Sequence, residues 1–366
     1  MNEDKAARYH RLRRRVTVVS MLTRAAGLFA LLASGWSAAL AAWSRGLAGG
    51  AIGIVMYVSV LAAGWELLSL PLTFYGSFLL DRKYGLSSES ATTWLADHLK
   101  AFGLGFVLTV GAAVTVYGSM RLWPDGWWIV VTGVFAALAI VLSRLAPVVL
   151  MPMFYRFAPL ARESLRDRLL ALSARAGVPV LGVFEWGLGE KTSRANAALV
   201  GIGRTRRIIV SDTVLKDYSD DEVEVILAHE LSHHVHHDIW SGLAIETGIA
   251  GASLAAANAA VITVGPSFGI TRVSDIAGLP LLVLAGGATS LLLTPLANAW
   301  SRHNERRADR YALQLTGGTA PFISAMRRLG AQNLAEERPS RPVFWFFHTH
   351  PTIDERIAAA RTFTTS

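Results

Sequence analysis

Two histidines and a glutamate in the segment His229-Glu230-Leu231-Ser232-His233 are the residues of this chain best spaced to do chemistry. In a helix, residues four apart project from one face, so the neutral imidazoles of His229 and His233 can bind the same Zn²⁺. Glu230 lies beside them and can accept a proton from a water that the metal polarises. The segment therefore predicts a metal-dependent hydrolase with one zinc ion per chain.

The residues before this motif predict the helix that it requires. Ser219 followed by Glu222 reads as a capping box. Val223, Ile226 and Leu227 then recur at helical spacing and lead directly into the two histidines.

A third metal ligand must come from elsewhere, because a catalytic zinc has three protein ligands and one position for water. Glu305 is the best candidate, and Asp309 follows one helical turn later, where it can accept a hydrogen bond from a ligating imidazole. This pattern, His-Glu-x-x-His with a downstream Glu-x-x-x-Asp, is the gluzincin arrangement. His237 continues the histidine face and is an alternative ligand, although a solvated role suits its greater distance better. The ordinary alternative is a set of polar-face histidines and surface carboxylates paired with arginines.

The composition predicts a membrane protein, because 52% of the 366 residues are hydrophobic and only 17% are charged. Six apolar blocks are each long enough to span a hydrocarbon core of ~30 Å. The second block exceeds one perpendicular span, so we expect it to tilt, to bend near Pro71 or to project beyond the bilayer. The blocks cover Ala25 to Ser44, Gly46 to Leu80 with Glu66 inside it, Ala101 to Met120, Gly126 to Ser143, Thr247 to Thr271, and Ile276 to Ser301.

Basic residues predict the orientation in the membrane. The basic residues before the first block place the N-terminus in the cytoplasm. They are Lys5, Arg8, Arg11, Arg13, Arg14, Arg15 and Arg24. After four spans the chain returns to that side, so we expect the polar stretch 156–238 to lie in the cytoplasm too. A signal peptide cleaved near Ala39-Leu40-Ala41 is the alternative interpretation. The net charge of +8 requires no nucleic-acid partner, since lipid and orientation explain it. Without cysteine, thiolate nucleophiles and cysteine zinc sites are excluded.

We therefore expect a mainly α, polytopic protein with about six transmembrane helices and a small α+β zinc-peptidase domain at the cytoplasmic face of a bacterial membrane. Four spans occupy residues 1–155, the first part of the peptidase domain residues 156–240, two further spans residues 241–301, and its second part residues 302–366. Within the domain we expect a helix at about 160–176, and then strand-like runs at 180–186, 197–203 and 207–212, the last two as a hairpin.

Several separated motifs resemble the CAAX prenyl protease 1 type of zinc metallopeptidase, and the likeness covers most of the chain. They are Leu70-Pro71, Asp81 to Leu86, Lys191 to Ala197, His229 to His233, Ser301 to Asp309, and His350-Pro351 with Arg356. The resemblance implies a barrel of membrane helices around a water-filled chamber that the zinc domain closes. It also implies that Asn196 contacts the substrate backbone, and that His350 and Arg356 line the site near the developing oxyanion. The chain departs from the family in having six spans rather than seven, and Asp238 where a histidine is common.

The expected function is a membrane-embedded zinc endopeptidase that acts on membrane-associated, including prenylated, peptide or protein substrates. In it Glu230 is the general base and His350 assists the oxyanion. One alternative is an HtpX-like quality-control peptidase of membrane proteins, and another is a zinc-binding or transport protein without protease activity. For Asn196 and His350-Pro351 the alternatives are a turn cap and the start of a helix.

Overall fold

The computed structural model describes residues 5–201 and 203–364, and most of these residues are helical. The helices are α1 (Lys5–Ala33), α2 (Trp36–Leu47), α3 (Gly50–Phe74), α4 (Leu80–Lys83), α5 (Ala91–Leu122), α6 (Trp127–Leu145), α7 (Met151–Phe154), α8 (Glu163–Arg175), α9 (Asp212–Asp217), α10 (Asp220–Val235), α11 (Asp238–Thr263), α12 (Leu279–Thr316), α13 (Thr319–Gln332), α14 (Arg341–Phe347) and α15 (Ile353–Arg361). The strands are β1 (Phe157–Pro159), β2 (Val183–Trp186), β3 (Ala197–Val200) and β4 (Arg207–Ser211).

Six helical segments of the described chain are long and apolar enough to cross a membrane, which confirms the predicted number. They are Lys5–Ala33, Gly50–Lys83, Ala91–Leu122, Trp127–Phe154, Asp238–Thr263 and Ile276–Thr316. Most of these helices extend beyond the predicted apolar blocks, and two differences change the interpretation of a span. The first helix ends nine residues into the block expected at 25–44, and the fifth begins at Asp238 rather than after Glu246.

The first apolar block is two helices because the chain turns at Gly35, whose φ of 77° is the left-handed conformation that glycine adopts readily. The second piece, α2, has 12 residues and is too short to span. Its Ser37 hydroxyl donates to the carbonyl of Ala277 at 2.6 Å, and Arg45 pairs with Asp275 at 3.1 Å. Hydropathy alone could not separate the two helices, since the break is made by one backbone conformation.

The second block extends from α3 through a π-helical turn at Tyr75–Leu79 into α4. Pro71 lies inside α3 just before this turn, so the irregularity expected near Pro71 takes the form of a π turn. Glu66 lies within α3, and its Oε1 is 2.6 Å from Nε2 of His98 on α5. A carboxylate within an apolar segment is costly unless it faces water or a partner, and His98 is such a partner.

The polar region forms a four-stranded sheet with the order β1-β2-β4-β3, packed against helices. β2 and β4 are parallel, whereas β3 pairs with β4 as the expected antiparallel hairpin. Position 202 of the run predicted as a strand at 197–203 lies outside the described residues. The apolar core between the sheet, α8, α10 and α13 includes Ile208, Leu231 and Phe322, all with no exposed surface. This core fixes α10 and its histidines relative to β3.

The N-terminal end of α1 packs against the polar region that contains the sheet. The Tyr9 hydroxyl donates to Asp81 Oδ1 at 2.7 Å and accepts a hydrogen bond from Arg194 at 2.7 Å. Arg14 pairs with Glu336 in the segment after α13. Part of the basic N-terminal charge therefore joins the long apolar helices to this polar region.

Candidate metal and catalytic site

The predicted ligand residues come together where α10 crosses α12. The capping box of Ser219 and Glu222 begins α10 as expected. Nε2 of His229 lies 3.1 Å from Oε2 of Glu305, and Nε2 of His233 lies 3.4 Å from Oε1 of the same carboxylate. Ligand atoms from these three side chains lie within 4.8 Å of one another, and His237 is not part of this group.

The donor set suits a divalent cation. Glu305 is 6% exposed, and its Oε2 is buried without a hydrogen-bond partner. An unsatisfied buried carboxylate oxygen facing two imidazole nitrogens is costly unless a cation lies between them. Two nitrogens and one carboxylate are the ligand types that a catalytic zinc site uses.

Asp309 lies within hydrogen-bond distance of the first histidine. Its Oδ1 accepts from Nδ1 of His229 at 2.9 Å, so Nε2 of that ring faces Glu305. Arg356 donates from Nε to Oδ2 of Asp309 at 2.9 Å, and its guanidinium also lies 3.3 Å from Nδ1 of His229. Burial lowers the pKa of His229, but the neighbouring carboxylates of Asp309 and Glu305 outweigh burial and raise the pKa to about 9. A cation bound at Nε2 would replace that proton.

Asp238 holds the second histidine, a role that the sequence analysis missed. Its Oδ2 accepts from Nδ1 of His233 at 2.9 Å, and its Oδ1 pairs with Arg307 of α12. Asp238 can contact His233, five residues earlier, because the chain changes direction at His237. The left-handed conformation of His237, with a φ of 59°, ends α10 before α11 begins and turns Asp238 back toward the ring of His233. The only signal in the sequence was that Asp238 replaces the histidine common in the resembled family.

Carboxylates exceed arginines in this cluster. With both imidazoles neutral, as metal binding requires, the described carboxylates Glu230, Asp238, Glu305 and Asp309 face Arg307 and Arg356, which leaves an excess of two negative charges that a divalent cation would cancel. Burial raises the pKa of Glu230 because a low-dielectric environment disfavours its charge, while the neighbouring imidazoles lower it. A raised pKa suits a general base that must later return its proton.

The remaining predicted residues lie around this centre. Nε2 of His350 is 3.3 Å from Oε1 of Glu305, and burial lowers the pKa of His350, which keeps the ring neutral near pH 7. Asn196 is exposed at the start of β3, and its backbone N–H donates to the Ser211 hydroxyl at 3.1 Å. The contacts of Arg356 with Asp309 support a positioning role for that arginine. Its predicted contact with substrate stays a prediction.

Strand β3 is the outer strand of the sheet beside α10. The N–H of Ser211 donates to the carbonyl of Asn196, so Asn196 directs its backbone groups toward β4. Because this direction alternates from one residue to the next along an antiparallel strand, Ala197 and Leu199 direct their backbone groups away from β4. Nε2 of His234 lies 3.1 Å from the carbonyl oxygen of Leu199. This contact ties the outer strand to the helix that carries the metal ligands.

A cavity of ≈460 Å³ opens beside the ligands and continues between α11 and α12. It is lined by Glu230, His233 and Glu305 at one end, and by Glu246 and Trp300 further along the two helices. The metal site therefore opens toward the membrane-spanning part of the molecule.

Comparisons with known proteins agree with this architecture. Residues 159–364 match the model of Peptidase family M48, and residues 2–156 match the model described as CAAX prenyl protease N-terminal, five membrane helices. Over the latter stretch this chain has four helices of spanning length and the short α2.

Similar curated proteins align over most of the chain. The uncharacterized metalloprotease YhfN of Bacillus subtilis is 29% identical over 91% of this chain and 79% of its own length. The probable CAAX prenyl protease 1 of Schizosaccharomyces pombe is 28% identical over 80% of this chain and 62% of its own length. The CAAX prenyl protease 1 of Saccharomyces cerevisiae is 27% identical over 83% and 71%. The crystal structure of S. mikatae Ste24p superposes with a TM-score of 0.87 at 20% identity, covering 97% of this chain and 88% of that one, so the fold is shared.

Proposed function

Because the chain belongs to peptidase family M48, a metallopeptidase family, we propose that it is a zinc-dependent endopeptidase that cuts membrane-associated substrates at the cytoplasmic face of the membrane. The observation that carries the proposal is the convergence of two histidine Nε2 atoms on the buried carboxylate of Glu305, whose Oε2 has no hydrogen-bond partner, beside Glu230. A protein that only binds or transports zinc would not require Glu230, which is not among the converging ligands.

His229, His233 and Glu305 would hold the zinc, and Asp309 and Asp238 keep both rings in the tautomer whose Nε2 is free to bind it. Zinc bound there would supply a Lewis acid that polarises a water and the scissile carbonyl. The type of metal is part of the proposal, chosen because imidazole and carboxylate donors suit zinc.

Glu230 performs the proton transfers in the proposed reaction. It accepts a proton from the attacking water and delivers it to the leaving amine. His350, beside Glu305, donates a hydrogen bond to the oxyanion that develops on the carbonyl. Strand β3 offers Ala197 and the N–H of Leu199 to an extended peptide, which pairs with the strand and lies across the ligands. The Asn196 side chain at the start of β3 is positioned to bind the same peptide.

The substrate is proposed to be a peptide or protein that is anchored at the membrane. His233 lies five residues before the candidate span Asp238–Thr263, and Glu305 lies inside the candidate span Ile276–Thr316. Two of the similar proteins carry the name CAAX prenyl protease 1, one of them as probable. A prenylated, CAAX-type substrate is therefore the first candidate. An HtpX-like quality-control peptidase, which cuts membrane proteins without regard to prenylation, is the second candidate.

The test uses purified, detergent-solubilised protein and pairs of peptides that differ only in a C-terminal prenyl-cysteine. We expect zinc near one equivalent per chain by elemental analysis, and faster cleavage of the prenylated peptide. Equal cleavage of both peptides and of unfolded membrane proteins would favour the quality-control function. A zinc-loaded protein that cleaves none of these substrates would contradict the proposed activity.

A further inference from the structure

The cavity beside the metal ligands has a far end that the proposed reaction does not use. On α11 its lining includes Asp238, Gly242 and Glu246, which lie four residues apart and so share one helical face. On α12 it includes Ala297, Ser301 and Glu305 at the same spacing. The cavity thus follows two facing helices for eight residues, about 12 Å at helical rise.

Glu246 lies at the far end of this cavity. Its side chain is exposed, and no ion pair joins it to another residue within the ranges 5–201 and 203–364. It also lies inside the apolar segment Asp238–Thr263. A carboxylate at such a position is costly unless it faces water or a cationic partner, and intramembrane carboxylates commonly serve a binding function.

Two other groups that line the cavity suit a cation. Trp300 is 39% exposed; its indole N–H donates to Ser241 at 3.4 Å and its ring lies 5.8 Å from that of His303, so the ring face opposite His303 is open for a cation–π contact. Asn298 donates from its amide nitrogen to the carbonyl of Trp345 at 2.9 Å, which leaves its own carbonyl oxygen as an acceptor. A carboxylate, an indole face and an amide oxygen are all partners of an ammonium or guanidinium group.

We propose that Glu246 binds a lysine or arginine side chain of the substrate, within about four residues of the scissile bond. The distance follows from about 12 Å of cavity and about 3.3 Å per residue of an extended peptide. This inference rests on the proposed peptidase function and adds to it a preference for cationic substrates. Glu246 contacts substrate only and takes no part in bond cleavage.

The experiment compares peptides in which lysine or the neutral isostere norleucine occupies each of the four positions on either side of the cut bond. At one position lysine should raise kcat/KM about five- to tenfold over norleucine, because a partly desolvated charge pair forms only with lysine. Glu246→Gln should abolish the difference. Glu246→Lys should instead favour a glutamate at that position.

Two further measurements keep the outcome clear. In the Glu230→Gln background, fluorescence anisotropy of labelled peptides reads binding without cleavage and should show the same lysine preference, lost in Glu230→Gln/Glu246→Gln. Glu163→Gln removes the same charge from the exposed surface of α8 and should keep the preference. Equal binding and cleavage of lysine and norleucine peptides, or a preference that survives Glu246→Gln, would overturn the inference while leaving the peptidase function intact. Absence of both cleavage and binding would overturn the peptidase function and this inference with it.

Discussion

Each of the two histidines proposed as ligands is held by a carboxylate from a different helix. Asp309 of α12 accepts from His229, and Asp238 of α11 accepts from His233, both at 2.9 Å. Each carboxylate is in turn paired with an arginine, Arg356 or Arg307. The two imidazoles are therefore oriented independently, so losses at the two carboxylates should combine.

We expect Asp309→Asn and Asp238→Asn each to weaken zinc binding by about 10- to 100-fold, as loss of a hydrogen-bond partner of a ligating histidine typically does. In the double variant the two factors should multiply, because each carboxylate holds a different ring. Competition with a chelator measures the zinc affinity, and Asp167→Asn, at an exposed position of α8, is the control. Unchanged affinity in Asp238→Asn, at an unchanged melting temperature, would reduce Asp238 to an ion-pair partner of Arg307.

Glu230 and Glu305 should fail differently when they are changed. Glu230→Gln should retain zinc and lose hydrolysis by about 10²- to 10⁴-fold, because an amide cannot accept the proton of water. Glu305→Ala should lose both zinc and hydrolysis, since it removes a ligand oxygen. Elemental analysis and peptide cleavage on the same samples separate the two roles. Near-normal cleavage by Glu230→Gln, or full zinc content in Glu305→Ala, would refute the corresponding assignment.

At the level of single residues, the sequence predicted the proximity of side chains that are related by spacing within one helix. His229 with His233, and Glu305 with Asp309, are each four residues apart, so helical geometry alone relates them. Asp238 was missed because its contact crosses the boundary between α10 and α11. That contact requires His237 to adopt a left-handed backbone conformation. A histidine in a sequence does not by itself predict that conformation.

Among the elements, α10 was predictable from its capping signal and α2 was not. The capping box at Ser219 and Glu222 is a local pattern, and its hydrogen bonds form as expected at 3.3 and 2.9 Å. The break at Gly35 leaves no mark in hydropathy, because both flanking helices are apolar. Helix α11 also begins earlier than predicted. The prediction takes the charged Glu246 as the limit of the span, but a carboxylate that lines a cavity can lie inside a span.

Glu222 should make the stability of α10 depend on pH. Burial raises its pKa, but hydrogen bonds from Ser324 and Ser219 and the nearby Arg328 outweigh burial, so its pKa lies below the usual value. Such a carboxylate stabilises the fold fully above its unfolded pKa of about 4.3 and loses this contribution as pH falls through the folded value.

Glu222→Gln should therefore lower stability near pH 7 by about 1 kcal/mol, and should reduce the further loss on acidification below about pH 5. The melting temperature of detergent-solubilised protein, measured from pH 7 to pH 3, tests both effects. Asp221→Asn, at an exposed position of the same turn, is the control. An acid profile identical to that of the unchanged protein would show that Glu222 is not the group responsible.

For the whole molecule, the placement of charge and the packing of α1 lead to the same topology. Tyr9 and Arg14 attach the N-terminal end of α1 to the peptidase domain, so the basic N-terminal segment and the metal site lie at one end of the molecule. The other end carries few cations, Arg45 and Arg272 among them, and Arg45 is paired with Asp275. The bias of arginine and lysine toward the metal-site end predicts that this end is cytoplasmic.

Cysteine labelling can test this orientation because the chain has no cysteine of its own. Lys216→Cys and Arg341→Cys lie at exposed positions on the peptidase side, and Ser267→Cys lies at an exposed position beyond the far end of α11. In intact cells a membrane-impermeant maleimide should label Ser267→Cys alone, and permeabilisation should expose the other two. Labelling of Ser267→Cys and Lys216→Cys from the same side would refute the six-span arrangement. The reverse pattern would keep the six spans but place the metal site on the outer face, where substrates anchored at the cytoplasmic leaflet could not reach it.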